Sequence, residues 1–535
     1  MPTKSPMAQL GKLVAKDLAR GHMSPSLAQV GEALSSSAEA VVAIVHLLIE
    51  EISKKRMNNS LVSAYQFMIS TALESERFAT EKEAPGAVGA VAEKVRSAVL
   101  EEAINGKVTV KSLMLISQAF AKAKVDIGEP LRQATMTRTE NESMPDESDF
   151  DFASVEKSLT ALATALEDDP FSIQAQISEQ VSAFTADQRA AFISALVFVK
   201  SQSLREATVG WVLDQDEKVA AEILASLAQA AKKGLVSGAT INRFVALRNW
   251  VGDALKTSVD EIIRAARQHS PPSPKSAVLQ TTDVRASAVD GAGAQSFFAV
   301  IRDKRKYMIA SLLFKHGFGI RDAWVRQGLS KRDVEDFRSL ISTQMETFES
   351  SLDTVLMTLR HGLAVNIASG EPIPFGTLQF IECVGIPPVN PEFMETDNLV
   401  SMLFNEMEEV DLNETGISAS LRRSKHWLAE FDWMDSWFED GAATMDAVRG
   451  QKSIKGRTDA ILEIIVAKNR RKWGNLLAWN AYTARDEMDG HDWKDMAIVA
   501  RELLGNRAIT EIPFARLIAV NTELALRSRA REVRC

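Results

Sequence analysis

The sequence predicts an all-α protein built of helical hairpins, and three observations carry that reading. Gly and Pro are scarce: 27 glycines and 16 prolines in 535 residues, about 8% against the roughly 12% of average usage. That is too few for an all-β chain turning at every strand end. Apolar residues recur at helical intervals behind capping residues. A junction of Gly, an apolar residue and Ser or Thr recurs along the chain. Hydrophobic residues are 46% and charged residues 25%, a balance that excludes a mainly disordered chain.

Helix starts are legible in chain order. Ser24-Pro25 reads as an N-cap with Pro at the first helical position. Ser36 with Glu39 has capping-box spacing before Val41, Ile44, Val45, Leu48 and Ile49. Thr185 with Gln188 repeats the device, and Thr458 opens a segment that runs toward Glu487. The junctions are Gly106 to Thr109, Gly234 to Ser237, Gly328 to Ser330 and Gly416 to Ser418. Gly takes the left-handed conformation that ends a helix, and the hydroxyl caps the next, so each junction predicts an αα-hairpin. The apolar positions around the first two junctions align at a constant offset of 128, from Val95/Ile223 to Ile116/Phe244. Two hairpins under the same packing rules, or a distant duplication, would both give this.

Two linkers are expected. Residues 135–151 are polar and acidic, and residues 269–294 are rich in Ser, Pro, Ala and Gly. They divide the chain into an N-terminal helical domain, 1–134, a helical hairpin domain, 152–268, and a Trp-rich C-terminal helical domain, 295–535. Within the last, residues 371–391 hold five prolines and a β-prone run, Thr377 to Val384, which predicts a buried loop or small hairpin.

One stretch has a fold-level resemblance. Leu213-Asp-Gln-Asp-Glu-Lys-Val219, continuing to Leu224 and a hairpin ending at Leu247, resembles a HEAT-type repeat. The resemblance implies helix pairs partly stacked as a HEAT-like array with an extended surface, and no activity.

Two cysteines, Cys383 and Cys535, make no disulfide framework. The N-terminus lacks the apolar core of a secretory signal. The longest apolar run, Val41 to Ile49, is too short to span a bilayer. These features point to a cytoplasmic protein with no membrane partner. The net charge of −9 disfavours bulk attraction to nucleic acid, yet it averages two unlike regions. Residues 386–450 carry 4 basic and 14 acidic residues, and residues 451–535 carry 16 basic and 11 acidic.

No metal set or cofactor motif stands out. His46 with Glu50 and His426 with Glu430 have helical spacing but no second His nearby. The His491-Asp492 pair resembles the HD-type metal phosphohydrolases, but no Asp follows Asp495, and an N-cap at Asp489 or Asp492 accounts for the same residues. Residues Lys315 to Asp322, with two glycines, read as a helix stop and turn. Cys383 reads as a packed thiol.

The C-terminal third carries the binding candidates, with six of nine tryptophans after residue 420. As one helix, Trp427, Phe431, Met434 and Phe438 share a face, and Trp433 and Trp437 lie off it among acids. One face suits core, and the other suits a protein partner. Arg470, Arg471, Lys472 and Trp473 combine basic and aromatic groups, as nucleic-acid binding requires, although the acidic segment upstream is an internal mate for them. The leading expectation is a non-catalytic scaffold or regulatory protein that binds another protein through Trp427, Phe431, Trp433, Trp437 and Phe438. An enzyme with a site assembled from His316, Arg321, His361, His491 and Asp492, and a nucleic-acid-binding regulator using segment 468–482, are the alternatives.

Overall fold

The computed structural model describes residues 4–20, 30–31, 33–83, 89–142, 152–269, 279–487 and 492–532. The chain divides into two compact units, Met1–Thr240 with Glu261–Ser270, and Ile241–Asp260 with Pro271–Cys535. Most elements are helices. Among the described residues, no helix is long and apolar enough to cross a membrane.

Among the described residues, the elements of the first unit are all helices. Its N-terminal part packs Val45, Leu48, Met68, Ile69, Val95, Leu113 and Phe120 into one core. Local capping sets many of the boundaries. Ser37, one residue beyond the expected Ser36, caps Ala38–Ile52 and accepts from the Ala40 N–H. Thr185 and Gln188 form the expected reciprocal box before Ala186–Leu196. Gly106 and Gly234 take left-handed φ of 75° and 72°. Thr109 then caps Val110–Lys122, and the Ser237 hydroxyl accepts from the Thr240 N–H. The stretch expected to resemble a HEAT repeat contains the helices Glu217–Lys232 and Gly238–Leu247. Ser24 and Pro25 lie outside the described residues.

The acidic linker expected over 135–151 is helical as far as Glu142, within the helix Glu129–Glu142. Leu131 and Thr135, four apart, are buried on one face, and Arg138 donates to the carbonyls of Val108 (3.1 Å) and Gly106 (2.7 Å). These tertiary contacts outweigh a polar composition. Residues 143–151 lie outside the described residues.

The second unit corrects the all-α expectation. Strands β1 (Gln280–Ser287), β2 (Ala294–Asp303), β3 (Lys306–Lys315), β4 (Gly319–Leu329) and β5 (Thr347–Glu349) form one antiparallel sheet in the order β4-β3-β2-β1-β5. The Ser/Pro/Ala-rich linker expected over 269–294 therefore contains a strand. Its turn is pinned: Val289 is fully buried, its N–H donates to Asn480 Oδ1 (2.8 Å), and its carbonyl accepts from Asn480 Nδ2 (3.1 Å) and Trp437 Nε1 (3.2 Å). The expected helix stop at 315–322 is the β3–β4 turn, with Gly317 and Gly319 at φ 83° and 77°. A Cβ on Gly319 would overlap Asn366 Oδ1, the atom that accepts from the Ile320 N–H at 2.7 Å. Gly328 ends a strand rather than a helix, and Gly416 lies in the first turn of Glu414–Arg423, which Asn413 caps. Neither makes the expected αα-hairpin.

One sheet face carries the helix Lys331–Gln344, opened by the Ser330/Asp333 capping box. Val334 packs there with Val300 and Ile309. On the other, Gly362 of the helix Leu352–Ser369 lies against Phe314 and Ile320. The loop or hairpin expected at 371–391 is the helix Gly376–Val384. Its β-prone residues are buried on all sides, as a run from Thr377 to Ile381, so packing overrides local preference. The described residues after 396 fold as helices, the longest Pro513–Glu532, around a core holding Leu399, Trp427, Trp437, Trp473, Trp479 and Phe514. Ser453 rather than Thr458 starts the long helical segment there, its side chain accepting from the Gly456 N–H.

Candidate functional site

The binding segment proposed from sequence is not one helix. A 3-10 turn, Ser424–His426, leads into the short helix Trp427–Glu430 and then a second 3-10 turn, Asp432–Ser436. Phe431 stands between them in extended conformation, φ −128° and ψ 109°. That break rephases the side chains. Trp427, Phe431, Met434 and Trp437 are 2%, 7%, 1% and 1% exposed, and Phe438 is half-buried. Trp437 thus joins the core in place of Phe438, stacking on Trp473 at 5.2 Å and Phe514 at 5.5 Å. Trp433 is half-buried against Phe431 and Trp437. Trp427, Phe431 and Trp437 are thus core residues, and Trp433 and Phe438 keep part of their surface outside it.

The basic-aromatic cluster divides between internal contacts and surface. Arg470 donates to the carbonyls of Leu503 (2.6 Å), Glu502 (2.9 Å) and Arg507 (3.1 Å), at the end of the helix Asp492–Leu504. Lys472 pairs with Glu439 (3.5 Å) and lies over the Trp473 ring. Arg471 is exposed and 3.7 Å from Asp397. Trp473 is wholly buried, so the aromatic partner that base stacking needs is enclosed.

The fold brings together two of the five residues named for an enzyme. His316 follows β3 and His361 lies on the helix Leu352–Ser369; their ring centres are 6.4 Å apart, both against Phe314 and Trp479. Burial, with His361 nearby, holds His316 well below the usual imidazole value. Burial alone lowers His361 to about 4. Neither ring nitrogen of His316 has a hydrogen-bond partner among the described residues, and His361 Nδ1 accepts from the Met394 N–H at 3.1 Å. Both rings are therefore neutral near pH 7 and packed as core. Arg321 pairs instead with Glu371 at 2.6 Å. Asp492 starts a helix, and His491 lies outside the described residues. Among the described residues, no cluster of three or more His, Cys, Asp or Glu could hold a metal ion. Cys383 is a buried thiol in no disulfide.

The concave feature that sequence reading missed lies on the sheet. Phe337 and Ile341 of the helix Lys331–Gln344 stand over Phe298 and Val300 of β2. Phe298 and Phe337 meet edge to face at 5.7 Å. The helix stops because Met345 adopts an extended conformation, φ −155° and ψ 148°, and the chain returns as β5 along Arg285–Ser287 of β1. Helix, exit and sheet enclose a cleft of about 460 Å³. Its bed is apolar, and its rim carries Asp283, Arg285, Arg338 and Glu346. Arg338 Nη2 donates to Asp283 at 2.6 Å. Arg285 Nε donates to Thr347 Oγ1 at 3.2 Å, and its guanidinium lies 3.9 Å from Glu487. Partial desolvation, with Asp432 and Glu487 nearby, holds the Glu346 carboxyl above its usual value. The sequence signals for this site were the runs Ser296–Ile301 and Tyr307–Phe314, rich in aromatic and branched residues and joined by a charged turn.

Two segments match family models described as Y4lR second domain, residues 185–270, and Y4lR C-terminal helical domain, residues 397–527. Neither description is of a HEAT repeat. The chain is 21% identical over 350 residues to "Uncharacterized protein y4lR" of Sinorhizobium fredii, covering 65% of this chain and 67% of that one. No solved structure matches. The sheet and its cleft, within 280–349, lie between the two matched segments.

Proposed function

We propose that this chain is a non-catalytic binding protein whose helical elements frame a small-molecule site on the sheet of the second unit. One observation carries the reading: a cleft of about 460 Å³ with an apolar bed of Phe298, Val300, Phe337, Ile341 and Met345 and a sparse charged rim. Its volume falls in the range of ordinary ligand pockets, and an apolar lining with a few placed polar groups is their usual chemistry. The rim guanidinium of Arg338 is engaged with Asp283, which fixes the side chain of the rim that faces the ligand.

The test is to block the cleft without touching the core. Ser342 lines it from the exposed side of the helix. Small aromatic fragments observed by saturation-transfer NMR should bind the full chain and lose binding to Ser342→Trp, with the circular dichroism spectrum unchanged. Fragments that bind the variant equally well would place binding elsewhere and sink the reading.

A further inference from the structure

Glu346 differs from the other charged groups of the rim. Arg338 is paired with Asp283, and Arg285 Nε donates to Thr347 while its guanidinium lies 3.9 Å from Glu487. Glu346 makes no hydrogen bond and no ion pair among the described residues, although it lines the cleft directly. It stands at the exit of the helix Lys331–Gln344, beside Met345 of the apolar bed. The nearby carboxylates of Asp432 and Glu487 repel its charge. Of the two carboxylates and two guanidinium groups that line the mouth, Glu346 is thus the one left without a protein partner. Inside it, the Phe298 and Phe337 rings meet at 5.7 Å and offer both apolar area and π-faces.

We infer that the cleft takes an organic cation, an ammonium or guanidinium group carried on an apolar body, with Glu346 as its counter-ion and the Phe298–Phe337 pair as its bed. This rests on the reading of the cleft as a ligand site. A cation supplies the partner that Glu346 lacks and relieves its repulsion with Asp432 and Glu487. The apolar body gains the burial, and the positive charge gains from nearby aromatic faces. An anion would meet Glu346 as a like charge, and at Arg338 it would compete with Asp283.

Three probes of one shape separate the possibilities: 2-phenylethylamine, 2-phenylethanol and 3-phenylpropionate, titrated into the full chain at neutral pH with ligand-observed NMR. The amine should bind about tenfold tighter than the alcohol, the scale of one charge-assisted hydrogen bond, and the acid should bind weakest. Glu346→Gln should bring the amine to the level of the alcohol and leave the alcohol unchanged. Ser342→Trp should abolish all three. If the alcohol or the acid matches the amine while Ser342→Trp still blocks binding, the cation inference falls and the cleft remains a ligand site. A preference for the amine that survives Glu346→Gln removes Glu346 as counter-ion. Absence of binding by all three probes overturns the inference and the cleft reading together.

Discussion

His316 and His361 illustrate what burial does to a titratable residue. Each imidazole is enclosed by aromatic side chains and kept neutral. Above pH 6.5 both rings are neutral in the folded and the unfolded chain, and they add no pH dependence. Below it the unfolded chain binds protons that the folded chain refuses, so stability falls as pH drops from 6.5 toward 4. His361, lowered to about 4, accounts for a loss of about 3 kcal/mol by that pH. His316→Leu removes a buried ring with two unpartnered nitrogens and keeps an apolar filler, which is neutral or stabilising. Thermal unfolding followed by tryptophan fluorescence should show a flatter acid limb for this variant. A limb as steep as the parent's would mean that His316 is not held neutral. The histidines were visible in sequence as isolated residues, but their juxtaposition comes from a strand end and a helix 45 positions apart.

At the scale of elements, the segment 424–437 decides between core and surface by one backbone break. A continuous helix would put Phe438 inside and Trp437 at the edge. The extended Phe431 turns Trp437 inward, where it donates to the Val289 carbonyl and stacks on Trp473. Trp437→Ala should cost about 3–5 kcal/mol, as for other large aromatic truncations in a core. Trp433→Ala, at a half-buried ring, should cost distinctly less. Urea unfolding midpoints compare the two; equal and small losses would mean that Trp437 is not core. Helix starts were the most legible elements. Thr109, Thr185, Ser237 and Ser330 each make a cap bond within three residues of their position. The helix Gly376–Val384 and strand β1 were illegible, because their apolar runs or polar composition fit several structures and distant contacts select one.

For the molecule as a whole, the charge asymmetry resolves into pairs within the second unit. Lys472 meets Glu439, Arg485 meets Glu406 (2.9 Å), Lys494 meets Asp411 (2.8 Å) and Arg507 meets Glu414 (3.4 Å). Arg423 reverses the polarity, meeting Asp495 at the buried end of its carboxylate, which Ser420 also holds at 2.7 Å. Most of these pairs keep one partner at the surface, where each contributes about 0–1 kcal/mol and is screened by salt. Raising NaCl to about 0.5 M should therefore lower the melting temperature by only a few degrees. A drop far beyond that, read by differential scanning fluorimetry, would mean that the acidic and basic regions are held mainly by charge rather than by the tryptophan core.

Sequence by itself determined the helical majority, many helix ends and the existence of two oppositely charged C-terminal regions. Those properties depend on composition and on contacts across three or four residues, which the order of the chain records directly. Tertiary structure decided the sheet, the inward turn of Trp437, the neutral histidine pair and the cleft. Each of these is made by groups from tens to about two hundred positions apart: Val289 with Asn480, Asp283 with Arg338, Arg285 with Glu487. A strand is stable only when its backbone groups find a neighbouring strand, and a cleft exists only between elements already packed. Neither condition is written in a local pattern.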